Sequence, residues 1–393
     1  MNMSAIASPL ANECLPSLDD AARMFLSSGA EPRKDLPWDA GKIVLGSASG
    51  IQADELQDLC SHWLSGFPEN PGLFSLYAGN GGLVFGLRHA CSRLPDLAHV
   101  YRRIRNEVLE VSRQELWSVP ARDWQDYDLV TGPSGLLLAC LGDPDVDDGA
   151  LVHLAGHLAD LVTSADLEAF RLEGARDDPQ RGWNHREINL GPAHGVAGVL
   201  AALAAYIRRF PSDTHARTAL ENGLDWFVLK SHKDARGLLT WAPGARSAER
   251  TRAASRREAW CYGAPASAFI VWDAADALGR ADLKEFACEV FRTFLGRFDP
   301  DFHLDDDPDE KLAICHGAAG LMLIADCFET HAGLGEAAAL KWRMRDLIVE
   351  DQASLASWMR RNATLLSGAS GVLLALDVIE GGSRSWLPAL GLR

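Results

Sequence analysis

The sequence predicts an all-α protein whose inner helices form a closed ring inside a layer of outer helices. Three observations lead there. A glycine-containing turn followed by a small-residue, apolar run recurs six times along the chain. The stretches between these runs are amphipathic at helical period. Strand signals are nearly absent. With 393 residues the chain exceeds one ordinary compact domain, so length alone allows two domains or one large closed array. The repeat favours the array.

The six instances follow in order. They are LYAGNGGLVFGL from Leu76, DLVTGPSGLLLACL from Asp128, NLGPAHGVAGVLAAL from Asn189, WCYGAPASAFIVW from Trp260, ICHGAAGLMLIA from Ile314 and LLSGASGVLLALDV from Leu365. Their lead glycines are Gly79, Gly132, Gly195, Gly263, Gly317 and Gly368, spaced by 53, 63, 68, 54 and 51 residues. The run after each turn is apolar on nearly every side, as in VAGVLAALAAYI, which marks a buried helix. Between the runs, segments such as Leu97–Leu116 and 336–359 read as half-exposed outer helices.

One repeat is therefore an outer helix, a loop, a glycine turn and an inner helix. Stacked as an open solenoid, such hairpins would leave large apolar ends, so ring closure is expected. All inner-helix N-termini, with their turns, then gather at one end. Residues 1–66 are read as an N-terminal helical segment holding a candidate degraded first hairpin, with LGSASG (45–50) standing for its turn. Residues 67–393 form the ring, giving six or seven hairpins.

Composition narrows the function classes. There are 38 basic and 54 acidic residues, a formal charge of −16, which argues against a general nucleic-acid binder. The opening MNMSAIASPLANECLP has no basic residue, so no signal peptide is predicted. The uncharged stretch Ile188–Ile207 contains Asn189, three glycines, Pro192 and His194, which makes it a poor membrane span. Eight scattered cysteines suit a reducing cytoplasm better than a disulfide scaffold. The acidic stretch Phe298–Lys311 lacks the spacing of a calcium loop and is read as solvated. His153 and His157, four apart, lack a third ligand and are read as ordinary helix-surface residues.

Three turns carry more than glycine punctuation. The third holds His194, the fourth Cys261, and the fifth Cys315 and His316. If equivalent turns meet at one mouth, these side chains meet too. Two thiolates and an imidazole are a zinc ligand set, and three protein ligands with one open position mark a catalytic site rather than a structural one. Cys140, Cys288 and Cys327 sit inside apolar or amphipathic runs and read as core residues.

GPAHGVAG (191–198), RREAWCYG (256–263), ICHGAAG (314–320) and DYDLVTGPSG (126–135) together resemble the lanthionine synthetase C family, the lanthipeptide cyclases, over roughly residues 70–380. The resemblance implies an α/α toroid and a single zinc on Cys261, Cys315 and His316. It also implies active-site roles for His194, Asp128 and Arg257. Trp260 and Tyr262, which flank Cys261, are candidate substrate contacts. One departure is Ala266, where the family usually has glycine. A small SH2-like domain inserted in a familiar member is not identifiable here.

The implied reaction is Michael-type addition of a peptide cysteine thiol to dehydroalanine or dehydrobutyrine, forming (methyl)lanthionine. His194 would protonate the enolate α-carbon, Asp128 would orient or charge His194, and Arg257 would stabilise the enolate or hold the Asp. The partners implied are a dehydrated precursor peptide with its leader, a separate dehydratase and a transporter. The place implied is the cytoplasm, with peripheral association to a membrane biosynthetic complex. Two other readings are a non-catalytic protein binding peptide or glutathione, and a zinc thiol alkyltransferase of the prenyltransferase type.

Overall fold

The computed structural model describes residues 18–27, 39–66, 74–77, 79–114, 117–172, 185–246, 254, 256–304, 310–351, 358 and 362–393. Among these, seven inner helices form a ring: Gly41–Ala48, Asn80–Cys91, Pro133–Leu141, Val196–Arg209, Ala264–Leu278, Ala318–Ala332 and Ala369–Ile379. Each packs against the next, and the seventh packs against the first. Ala, Leu, Val and Gly dominate these helices, and Pro133–Leu141, Val196–Arg209 and Ala369–Ile379 are buried on nearly every side. That is the composition a helix needs when other helices surround it.

Outer helices precede each inner one: Leu18–Leu26, Ala53–Ser65, Ala98–Ser112, Asp148–Val162, Thr214–Leu229, Ala281–Leu295 and Ala337–Glu350. The N-terminal Leu18–Leu26 packs on the seventh and first inner helices, across the seam where the ring closes. The expected toroid is thus present with seven outer–inner pairs. LGSASG, however, is not a turn. It lies at the end of the first inner helix, whose turn is Asp39–Gly41. The expected solvated stretch near 298–311 also differs: a short helix, Pro300–His303, buries His303 against Phe298, while 305–309 lie outside the described residues.

The turns explain the glycine pattern. The lead glycines Gly79, Gly132, Gly195, Gly317 and Gly368 sit at helix N-caps with extended backbones. The second glycine, three residues on, meets a turn carbonyl. A Cβ on Gly320 would lie 2.0 Å from Ile314 O, and one on Gly371 1.8 Å from Leu365 O. Only a hydrogen fits there. The fourth glycine turn is built differently, with Gly263 at φ +89° and Glu258 accepting from Ala264 N at 2.6 Å. This is the turn where Ala266 replaces the second glycine.

Backbone bonds pass from turn to turn around the rim. Leu76 N donates to Val130 O, Leu129 N to Ala193 O, Cys261 N to Cys315 O, and Cys315 N to Leu366 O. Buried Asp39 closes the circle by accepting from Gly41 N at 2.7 Å and Leu365 N at 2.9 Å. With Ala40 N donating to Tyr77 O at 3.0 Å and Asn189 Nδ2 to Tyr262 Oη at 3.0 Å, the seven turns are one continuous rim.

The opposite end is plugged. Residues Trp386–Arg393 enter the ring's axis from the C-terminal ends of the inner helices, with Trp386, Leu387, Leu390 and Leu392 buried. At the tip, Tyr77 Oη donates to Ala389 O at 2.6 Å and Trp260 Nε1 to Leu390 O at 2.9 Å. Gly391 then reverses the chain at φ +66°, and a Cβ there would lie 3.0 Å from Ala201 Cβ.

Candidate functional site

The rim brings three expected ligands together. One ligand atom from each of Cys261, Cys315 and His316 lies within 4.8 Å of the others. Cys261 is delivered by the residues just before the fifth inner helix, and Cys315 and His316 by those just before the sixth. The Cys261 N to Cys315 O bond ties the two turns. Cys315 Sγ is 3.6 Å from His316 Nε2. Zinc bonds of about 2.0–2.3 Å in tetrahedral array put donor atoms ~3.3–3.8 Å apart, so the trio can close on an ion with small side-chain adjustments.

The electrostatics point the same way. The neighbouring Cys261 thiol, then burial, push the Cys315 thiol well above its ordinary value. Burial alone would lower His316, but Cys315 and Glu310 outweigh it and lift it to about 10. A pocket that resists a second thiolate and holds on to a proton is a pocket short of positive charge. A bound cation supplies that charge, and the rim of inner-helix N-termini adds partial positive charge of its own.

A second pair stands on the same rim. His194 Nδ1 meets Asp128 Oδ2 at 2.5 Å. Asp128 has no exposed surface, and its other oxygen accepts from Thr131 N at 2.6 Å and Thr131 Oγ1 at 2.9 Å. The carboxylate is thus fixed on one side and aims at the imidazole with the other. Trp124 stacks on the His194 ring, centroids 4.5 Å apart and planes 17° apart. Side chain His194 keeps 27% exposure, so its Nε2 edge is the one free to meet a ligand.

Buried Tyr77 links the two groups. After burial itself, the charges of Cys315, Asp39 and Asp128 drive its phenol well above the ordinary range. It therefore lies within electrostatic reach of both the thiol cluster and the Asp–His pair. Half-buried Tyr262 accepts from Asn189 Nδ2 at 3.0 Å and feels Cys261, Cys315 and Arg257. Arg257 is half-buried beside it.

Trp260 differs from the sequence expectation. Its indole is fully buried and bonded to Leu390 O, so it faces the plug and offers no surface to a substrate. The cause is geometric: neighbouring residues in a turn point in different directions, here outward for Cys261 and inward for Trp260. His157 likewise binds a protein group, the Asp126 carbonyl at 2.7 Å.

Four residues escaped the sequence reading: Tyr77, Trp124, Asn189 and Glu310. Tyr77 and Asn189 lie inside the quoted turn motifs, two and six residues before a lead glycine, and that register was their only signal. Glu310 was hidden in an acidic run.

Fold and rim together define a helical toroid whose turn layer carries a thiol–imidazole donor cluster and a buried Asp–His pair. The chain belongs to the lanthionine synthetase C-like protein family, whose model matches residues 51–388. Among solved structures it is similar to nisin cyclase, at TM-score 0.72 and 21% identity over 95% of this chain and 94% of that one. No curated protein matches by sequence. Among the described residues no helix is long and apolar enough to cross a membrane.

Proposed function

We propose that the chain is a zinc-dependent lanthipeptide cyclase that joins a cysteine thiol to dehydroalanine or dehydrobutyrine within one peptide. The observation that carries this is the pairing, on one rim, of an open three-donor cluster with a buried-Asp-supported histidine. Cys261, Cys315 and His316 would hold the zinc. When bound, zinc supplies an open position that keeps a substrate thiol deprotonated at neutral pH, where a free thiol of pKa ~8.5 is mostly protonated.

The chain's own residues do the rest. Sulfur adds to the β-carbon and the alkene electrons move onto the carbonyl oxygen. The α-carbon then takes a proton, so nothing leaves and the product has the substrate's mass. His194 Nε2 is the proton donor, because Nδ1 is occupied by Asp128. Asp128 fixes the ring and its orientation through Nδ1. Trp124 covers one imidazole face and limits its rotation. Arg257 and Tyr262 flank the cluster from the turn that carries Cys261, where Arg257 can meet enolate charge. The substrate class is a dehydrated precursor peptide with its leader, which requires a preceding dehydration of Ser and Thr by a separate enzyme, with a transporter acting on the product.

Because mass does not change, the assay counts free thiols by alkylation after incubation with dehydrated peptide. Wild type should remove alkylatable thiols in step with ring formation. His194→Asn should keep its metal and helicity yet slow closure by ~10²–10⁴, the worth of positioned acid–base catalysis. An unchanged rate would leave His194 a packing residue, and loss of metal would make it a ligand.

A further inference from the structure

The loop entering the sixth inner helix places a carboxylate where the cyclase reading does not use it. Glu310 Oε2 is hydrogen-bonded to His316 Nδ1, and the Glu310 side chain is only 16% exposed. His316 Nε2 faces the other way, 3.6 Å from Cys315 Sγ. We infer that Glu310 is a positioning residue of the metal centre. It holds the His316 proton on Nδ1, so that Nε2 presents its lone pair to the metal. This rests on reading Cys261, Cys315 and His316 as the metal ligands.

The need for such a residue follows from the chain. Cys315 and His316 are adjacent, so their backbone leaves little freedom in where both donors point. Either imidazole nitrogen can bind a metal, and the bond made by the other decides which one does. Without a fixed partner, His316 would divide between two tautomers and several ring angles, and each would cost affinity. Carboxylate partners of ligand histidines also raise ligand basicity, and removing them typically costs ~10–100-fold in metal affinity.

Glu310 is also held firmly. Its carbonyl accepts from Ala313 N at 2.9 Å. Gly317 lets the segment pack close, because a Cβ there would lie 2.4 Å from both Glu310 O and Lys311 O. The turn itself does not demand a carboxylate at this position. Seven residues before the lead glycine, other described turns carry Gln125, Ile188 and Arg256. The acid stands in the one of these turns that also carries a histidine beside a cysteine.

The test measures zinc affinity by competition with a chromophoric chelator, on wild type, Glu310→Ala and Glu310→Gln. Melting of each protein is followed after metal removal. Ala removes both bond and charge; Gln keeps an acceptor and removes the charge. The expected result is a ~10–100-fold loss for Ala, a smaller loss for Gln, and unchanged melting of the metal-free proteins. Cobalt-loaded protein should keep its thiolate charge-transfer band while the ligand-field bands shift in Glu310→Ala. Equal zinc affinity in all three proteins would overturn the role of Glu310 and leave the metal site standing. So would an affinity loss seen only alongside a fall in metal-free melting, since that is a packing effect. A wild type that binds no zinc would overturn the metal site itself, and this inference with it.

Discussion

The two ends of the ring are made of the same seven helices and do opposite things. At the N-terminal end the helices begin in turns that leave Cys315, His316 and His194 partly accessible. At the C-terminal end the axis is filled by Trp386–Arg393, and the helix ends are tied by ion pairs. Arg393 Nε pairs with Asp273 at 2.7 Å, Arg208 Nη1 with Asp273 at 2.8 Å, and Arg384 with Asp326. Arg88 and Arg209 donate to the last-turn carbonyls of Ala139 and Leu141. Cations at helix C-termini complement the dipole, just as the Asp128 carboxylate on the rim suits the N-termini. The closed end carries the ion pairs and the plug, and the open end carries the donor cluster and the Asp–His pair.

The sharpest way to break that contrast is at the metal donors. Cys315→Ala should lose most of its zinc, while wild type purified without added metal should carry about one ion per chain. Helicity should hardly move, because the inner helices bury their own core. In zinc fingers, by contrast, metal binding is folding. Metal analysis with circular dichroism on the same samples decides it. Collapse of the metal-free protein to random coil would make the rim a structural element, and full zinc retention in both Cys261→Ala and Cys315→Ala would remove the site.

The reciprocal change is at the plug. Leu390 is fully buried and its carbonyl holds Trp260 Nε1. Leu390→Ala should cost ~2–5 kcal/mol, the usual range for a buried leucine truncation. Urea denaturation should show it as a lower midpoint with the zinc content of the folded protein unchanged. If zinc were lost at a mild stability cost, the plug would be a support for Cys261 through Trp260, and the two ends would not be separable.

This contrast was only half legible in the sequence. The open end was readable because its candidate residues sit in a repeating turn, so that register brings Cys261, Cys315, His316 and His194 to one rim, while Asp128 was named through the family resemblance. The first turn escaped because Ala40 stands at the N-cap, where the other turns have glycine, and Ile43 three residues on, so the eye settled on LGSASG instead. Glu310 escaped because four aspartates precede it within six residues, and composition cannot say which acid turns inward. Trp260 was misjudged because adjacency to a ligand says nothing about side-chain direction. The plug had no signal at all. WLPALGLR is too short for a period, and its burial depends on seven helices being closed around it.

The smallest expected effect compares the ends by pH. Asp39, at the open end, is pushed up to about 7, chiefly by burial, against an ordinary 3.8; the Gly41 and Leu365 amides offset part of this. Its folded value lies above the unfolded one, so the native state binds the extra proton between about 4 and 7. Stability from this group is present at low pH and is lost as pH rises through that window. His89, at the closed end beside Ser385, is pushed down to about 3 from 6.5 by burial and then by Arg88. Its folded value lies below the unfolded one, so its contribution is present above about 6.5 and is lost as pH falls towards 3. Each group can tilt stability by at most about 1.4 kcal/mol per pH unit. Asp39→Asn keeps an oxygen acceptor for both amides and removes the charge, so it should gain on wild type as pH rises from 4 to 7. His89→Gln should gain on wild type as pH falls from 6.5 to 3. Urea midpoints for the three proteins across pH 3–8 should therefore diverge in opposite directions. Parallel curves would mean that neither group keeps its buried, shifted state, and that the two ends do not differ in how they hold charge.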